Sequence, residues 1–363
     1  MTDLKYGLIG CGMMGAEHVR NVALVDGARI AAVYDPVPEL AQRAARLAGG
    51  AEVLGALDAL IVHPGLDAFI ICSPNFLHVS QLEAIAARRP LPVLCEKPIY
   101  TRAEDAARIA ALAKDFPHPV WVAMEYRYMP PIAELIAEAD AVTGGVKMLT
   151  IREHRLPFLD KVGNWNRFNE NTGGTLVEKC CHFFDLMRLI LRAEPVRVMA
   201  SAGQVANHKD ESYDGRTPDI WDSGYALFDF DNGARAMLEL CMFADGTRWN
   251  EEICAVGPAG KIESRIPGPQ RFWPDTLGPP PEPEISTYPR HPKNPQTRVL
   301  YLAPALLKAG DHHGSTYHQH VGFSQTVRSG KRPAVTLDDG SRAVQMALAA
   351  QQSAIEHRAV AFG

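Results

Sequence analysis

The sequence predicts an α/β protein: an N-terminal doubly wound parallel sheet, followed by a C-terminal α/β domain with a large, open, mainly antiparallel sheet. Three observations lead there. Over residues 1–123, short apolar runs alternate with stretches of helical periodicity, the pattern of a parallel sheet with helices on both faces. The first run ends in a glycine-rich turn. Beyond it, over 124–363, longer runs are joined by tight turns, of which Asp231-Asn232-Gly233 is a good hairpin signal. At 363 residues the chain is too long for one ordinary core and suits these two domains.

The elements follow in order. Strands are predicted at Lys5–Gly10, Arg29–Tyr34, Ala68–Cys72, Pro92–Cys95 and Pro119–Ala123, with helices between them such as Glu39–Ala48 and Val79–Arg88. Lys147–His154 reads as a long strand and Leu176–Leu191 as one apolar helix. Ser223–Phe230 and Ala234–Phe243 form the hairpin, and Glu252–Val256 and Lys261–Ser264 continue the sheet. Residues 267–297 are rich in proline and read as an irregular excursion, a lid or an interface arm. A helix at about 341–356 closes the chain, its periodicity clearest over Ala343–Glu356. There is no internal repeat.

Composition narrows the function. Apolar residues make up 47% and charged residues 22%, as in a soluble globular protein. The net charge is -5 and there is no long basic run, so no nucleic-acid partner is expected. No apolar stretch approaches the roughly 18 residues that span a bilayer. Met1 to Lys5 lead directly into the first strand without a secretory signal. The seven cysteines are scattered apart from Cys180-Cys181, which predicts reduced thiols and a cytoplasmic protein.

Gly10-Cys11-Gly12-Met13-Met14-Gly15 fits G-x-G-x-x-G in the required place, after a strand and opening a helix. The first glycine permits the turn, the second lets backbone approach a diphosphate, and the third lets helix and strand pack closely. The diphosphate would meet the free N–H groups of the helix start. Asp35, 20 residues beyond Gly15, ends the second strand. A carboxylate there accepts from both ribose hydroxyls and repels a 2′-phosphate, which favours NAD over NADP. The plainer alternative is a glycine-rich turn and an ordinary capping aspartate.

Two further segments carry chemistry. Cys95-Glu96-Lys97-Pro98 ends a strand, on the side of such sheets that faces the ligand crevice. Lys97, partly desolvated, is expected to have a lowered pKa and to exchange protons with a substrate hydroxyl. In Gly173 to Asp185, Glu178 and His182 lie four residues apart, on one face of a helix, with Asp185 three further on. A carboxylate and an imidazole so placed can bind a hydroxyl and relay its proton. Alone, the segment would read as an amphipathic helix with a structural histidine.

Together these residues resemble the Gfo/Idh/MocA family of oxidoreductases, over nearly the whole chain. Ser73-Pro74-Asn75 with His78, Glu96-Lys97-Pro98, Tyr126-Arg127-Tyr128, His313-Gly314-Ser315 and Asp339 through Ala343 all carry the likeness. The resemblance implies a Rossmann domain, a C-terminal sheet that covers the active site, and a homodimer or homotetramer formed through that sheet. It implies an NAD site at Gly10, Gly12, Met13, Met14, Gly15, Asp35, Ser73, Asn75, His78, Glu96 and Lys97. It also implies Lys97 as the catalytic lysine and His182 as the histidine of the second motif, with Glu178 positioning substrate or the imidazole. The expected reaction is hydride transfer between a sugar or cyclic polyol hydroxyl and nicotinamide, with His182 taking the proton. The family usually has aspartate at Glu178 and small or apolar residues at Lys179 and Cys180.

Arg127, Arg152, His154 and Arg155 fall near the expected domain junction, and Trp165, Asn166 and Arg167 precede the second motif. Arg127, Arg152, His154 and Trp165 are therefore assigned to substrate along with Lys97, Glu178 and His182. An arginine cluster of this kind suits an acidic sugar or, equally, interdomain salt bridges. His312, His313, His318 and His320 have no metal-ligand spacing, and no metal is expected. No G-x-S-x-G elbow supports a hydrolase. Two rivals remain: an NAD-dependent glycoside cleaver that oxidises, eliminates, hydrates and re-reduces its substrate, and a nucleotide-sensing regulator without catalysis.

Overall fold

The computed structural model describes residues 3–362, so the expected domain limits at 1 and 363 lie outside the described residues. The first unit runs β1 (Leu4–Ile9), α1 (Met13–Val22), β2 (Ala28–Tyr34), α2 (Pro38–Leu47), β3 (Glu52–Val53) and α3 (Leu57–Ile61). It continues with β4 (Ala68–Ile71), α4 (His78–Arg88), β5 (Val93–Cys95), α5 (Ala106–Asp115) and β6 (Val120–Val122). Apart from the exposed edge strand β3, the strands are short and largely apolar on both faces: Leu8, Ile9, Ile70, Ile71, Leu94 and Val122 are all buried, as a sheet covered by helices on both sides requires. All pairings are parallel, in the order β3-β2-β1-β4-β5-β6. The order reverses between β1 and β4, and in such sheets ligands bind beyond the strand ends at that reversal.

The chain then passes through α6 (Pro130–Thr143), β7 (Met148–His154), α7 (Asn169–Thr172), α8 (Thr175–Glu178), α9 (Cys181–Leu191) and β8 (Pro195–Gly203). Strands β9 (Ser223–Phe230), β10 (Arg235–Cys241), β11 (Glu251–Gly257), β12 (Gly260–Ile266), β13 (Glu284–Pro289) and β14 (Gln296–Val299) follow. Three helices, α10 (Pro304–Ala309), α11 (Ser315–Ser329) and α12 (Leu337–Glu356), precede the short strand β15 (Val360–Ala361). The nine strands pair in the order β14-β13-β12-β11-β7-β10-β9-β8-β15, antiparallel except for β10 on β7. Helices α6 and α12 pack on one face, while α11 returns to lie on α1. The other face is open and shows Met148, Met199 and Tyr225 to solvent.

Three expectations change. The proline-rich stretch is irregular only up to Pro283; beyond it Ile285 and Ser286 are buried in β13, and β14 completes the sheet edge. Strand β8 has no clean apolar alternation and escapes the pattern. The single helix over Leu176–Leu191 is two, α8 and α9, interrupted at Lys179 and Cys180. The Lys179 side chain, at this interruption, is buried and has partners.

Candidate active site

The glycine loop is built for a close-lying ligand. Gly10 has φ +90°, and a Cβ there would lie 2.6 Å from the Ser73 amide nitrogen. At Gly15 a Cβ would lie 2.3 Å from the Gly10 carbonyl oxygen and against the Leu8 side chain of β1. Over Gly12 there is open space, with no atom within 4 Å of where a Cβ would stand. Helix α1 starts at Met13 with no side chain capping its amides. Free N–H groups beneath an open glycine are a fitting seat for a diphosphate. Asp35 braces the loop, accepting from the Cys11 amide (2.7 Å) and the Val37 amide (2.8 Å). A carboxylate has lone pairs left for ribose hydroxyls. Asn75 is buried with its Nδ2 lacking a partner among the described residues, a donor held in reserve at the end of β4.

Lys97 and His182 are brought together across the two sheets. The Lys97 ammonium donates to the Glu178 carbonyl oxygen at 2.8 Å, at the end of α8, four residues before His182. Burial acts to lower the Lys97 pKa, but Cys181, Glu96, Glu178 and Glu125 surround it and hold it above the ordinary lysine value. The lowered pKa expected from sequence is therefore reversed by the acids nearby, and Lys97 is an ammonium. His182 is buried, and its pKa is driven well below the ordinary value by burial, then by Lys97, Lys179 and His312. It is a neutral imidazole. The Glu178 carboxylate is buried, reaches Lys161 at 3.4 Å through Oε1, and has no partner for Oε2 among the described residues. Glu178 ends α8 and His182 lies in the first turn of α9, so the two stand on consecutive helices rather than on one. Lys161 also lies over the Trp165 ring (4.6 Å), which meets Phe76 edge-on. Lys161 thus links the Trp165 ring to the Glu178 carboxylate.

Several polar residues behind His182 carry no site assignment from the sequence. Tyr126 stacks on the His182 ring (4.2 Å between centroids, 10° between planes). Its hydroxyl accepts from Lys179 (2.6 Å) and donates to Glu251 (3.3 Å), while Lys179 pairs with Glu153 (2.8 Å). Glu153 and Glu251 face each other across β7 and β11. Burial and the facing Glu153 push Glu251 up to about 7, and burial outweighs both acids to lower Lys179. The parity of β7 is the signal that could have found them: Leu149, Ile151 and Glu153 share its buried face, so an acid occurs where an apolar residue is expected. His312 forms a second cluster with Glu17 (2.7 Å) and Glu125 (3.5 Å), and the Thr316 hydroxyl lies within hydrogen-bond reach of both acids. Burial opposes protonation of His312, but the two carboxylates prevail and raise it to about 10. It works as a cation joining α1 to the segment before α11.

Other assigned residues lie elsewhere. Arg152 and His154 point from β7 to the open face, where Arg152 pairs with Glu239 (3.1 Å) and Glu252 (3.0 Å) and His154 with Glu239 (2.9 Å). Strand alternation puts them on the side opposite Glu153, away from His182. Arg127 forms a two-pronged ion pair with buried Asp185 and donates to the Ala334 carbonyl, so its fork is consumed in holding α9. His78 is fully buried and ties two turns together, with Nδ1 2.8 Å from the Pro98 oxygen and Nε2 3.1 Å from the Ser73 oxygen. Burial lowers its pKa, and with a carbonyl oxygen against each ring nitrogen the side chain is taken up in holding the two loops. Glu96 turns inward to His18 (2.9 Å), and the Ser73 hydroxyl to Gln81 (2.6 Å). Replacing Arg127 by methionine would strand the Asp185 charge, at a cost of about 3–5 kcal/mol. Urea unfolding should show that loss, with NAD affinity unchanged.

Comparison with known proteins follows the same division. Residues 4–124 match the family model described as an oxidoreductase family NAD-binding Rossmann fold. Residues 139–362 match the model for the C-terminal alpha/beta domain of that oxidoreductase family. The rhizopine catabolism protein MocA of Rhizobium meliloti is 28% identical over 277 residues, covering 76% of this chain and 80% of that protein. An inositol 2-dehydrogenase of Rhizobium meliloti (strain 1021) is 32% identical over 202 residues, 55% of this chain and 58% of that enzyme. The fold is shared with myo-inositol dehydrogenase from Lactobacillus casei in complex with NAD(H) and myo-inositol (TM-score 0.74, 20% identity, 100% and 97% of the two chains). It is shared also with GenD2 from gentamicin A biosynthesis in complex with NAD (TM-score 0.79, 19% identity, 100% and 97% covered). Among the described residues no helix is long and apolar enough to cross a membrane. With a family model matched on each of its two sheets, the chain belongs to the Gfo/Idh/MocA family: it is an oxidoreductase whose cofactor is NAD.

Proposed function

We propose that this oxidoreductase oxidises a secondary hydroxyl of a sugar or cyclic polyol, with His182 as general base and Lys97 as the cation beside the reacting oxygen. The supporting observation is the bond from Lys97 to the Glu178 carbonyl, which holds an ammonium next to a neutral buried imidazole. The substrate hydroxyl donates to His182 and accepts from Lys97. As the C–H bond weakens, the hydroxyl proton passes to His182, and the Lys97 charge stabilises the oxygen as it becomes anionic. NAD, when bound over the glycine loop, supplies the hydride acceptor. Glu178 orients substrate through its free carboxylate oxygen, and Trp165 with Lys161 walls the cleft. Residues 1–123 serve the cofactor and 124–363 the substrate, and the open sheet face around Met148, Met199 and Tyr225 joins copies into a homodimer or homotetramer.

The test is NADH absorbance with NAD or NADP across inositols, aldoses, uronic and sulfonated sugars and aryl glycosides, with aglycone release followed in parallel. NADH formed from a free sugar or polyol, with NAD preferred, is expected. Aglycone release without NADH would replace this reading with redox-neutral glycoside cleavage. Silence in both channels from an NAD-binding protein would favour a sensor.

A further inference from the structure

Orienting a ring that accepts a proton requires a partner, and a carboxylate or carbonyl on the far nitrogen commonly supplies it. His182 lacks that partner: its Nδ1 is buried with no hydrogen bond among the described residues. What contacts the ring is the parallel face of Tyr126 at 4.2 Å, which blocks rotation about the Cβ–Cγ bond. Tyr126 is itself fixed. Phe183 meets it edge-on at 5.7 Å, and its hydroxyl is gripped by Lys179 and Glu251. Lys179 reaches that hydroxyl from the junction between α8 and α9, and Glu153 holds its other side.

We propose that Tyr126 and Lys179 are positioning residues for His182: the ring of Tyr126 sets the imidazole plane, and the Lys179 ammonium anchors Tyr126 through its hydroxyl. The inference rests on His182 being the base. It gives a use to a lysine in a buried place, where Glu153 and Glu251 offset only part of the cost of burial. The cations facing His182 are Lys97, Lys179, His312 and Arg155, and removing one of the four charges should raise its pKa.

Imidazole nitrogen NMR on protein labelled with 15N-histidine tests this without a substrate, the His182 signals being identified by their loss in His182→Gln. In the parent, one neutral tautomer is expected between about pH 5.5 and 8.5. Lys179→Met should raise the His182 pKa by about one unit. Tyr126→Leu should average the two nitrogen shifts as the ring gains freedom, and Tyr126→Phe should keep the parent tautomer. If Lys179→Met does not fold, Lys179→Gln is read for the same pKa rise. Unchanged His182 shifts and pKa in both the Lys179 variant and the Tyr126→Leu protein would overturn the proposal. Failure of the base assignment is a separate result, namely normal turnover by His182→Ala.

Discussion

His182→Ala is expected to lower kcat by about 10²–10⁴-fold, the range lost with a positioned general base. NAD affinity should not change, because His182 belongs to α9 and not to the glycine loop that seats the cofactor. Lys97→Met should produce a loss of similar size for a different reason, since it removes the ammonium that meets the developing oxyanion. The pH profile separates the two roles. His182 must be neutral to accept a proton, and its pKa is depressed by burial and by Lys97, Lys179 and His312. Oxidation should therefore hold steady through neutral pH and fail only on the acid side, below the ordinary histidine value of about 6.5. Lys97 must stay charged, and its pKa is raised, so the alkaline loss should come only above about 10.4. A lysine acting as the base would reverse this, with activity appearing as Lys97 lost its proton. Steady-state kinetics on both variants and the parent, carried from the acid limb to beyond the ordinary lysine value of about 10.4, distinguishes these cases.

Gly15→Ala should abolish NAD binding and also reduce stability. The new methyl would lie 2.3 Å from the Gly10 carbonyl oxygen, and backbone cannot rotate away as a side-chain tip can. Either α1 or the loop must shift, at about 1–3 kcal/mol or more for an overpacked contact, and the amides that face the diphosphate shift with it. Gly12→Ala is the instructive contrast. Nothing lies within 4 Å of its added carbon, so folding should be untouched while the methyl fills the space the cofactor needs. NADH fluorescence titration with thermal melting separates them: affinity and stability fall together at Gly15, and affinity alone falls at Gly12. A Gly12→Ala protein that bound NADH as the parent does would refute a cofactor seat over that loop.

The first sheet is readable because its signals are local. Each strand is a short apolar run, and the glycine loop announces both a turn and a helix start. Lys97 and His182 stand out because each lies in a dense motif. What escapes depends on parity and distance. Arg152 and Glu153 are neighbours in sequence but occupy opposite faces of β7, and the arginine draws the substrate assignment although the glutamate is the one on the side of His182. Arg127 reads as a substrate residue because its partner, Asp185, lies 58 residues away and no local pattern pairs the two. Likewise the break at Lys179 leaves no trace in helical periodicity, being stabilised by Tyr126 and Glu153 from other elements.

The central assignment, removal of hydride from a carbinol carbon with His182 taking the proton, is tested most directly by following deuterium. The polyol or sugar that gives NADH is prepared with deuterium on its carbinol carbons, incubated with enzyme and NAD, and the coenzyme is weighed by mass spectrometry. The expected result is one deuterium on each reduced coenzyme molecule from the parent, and none within the same time from His182→Ala. Coenzyme that remains unlabelled while the substrate is converted would contradict the assignment.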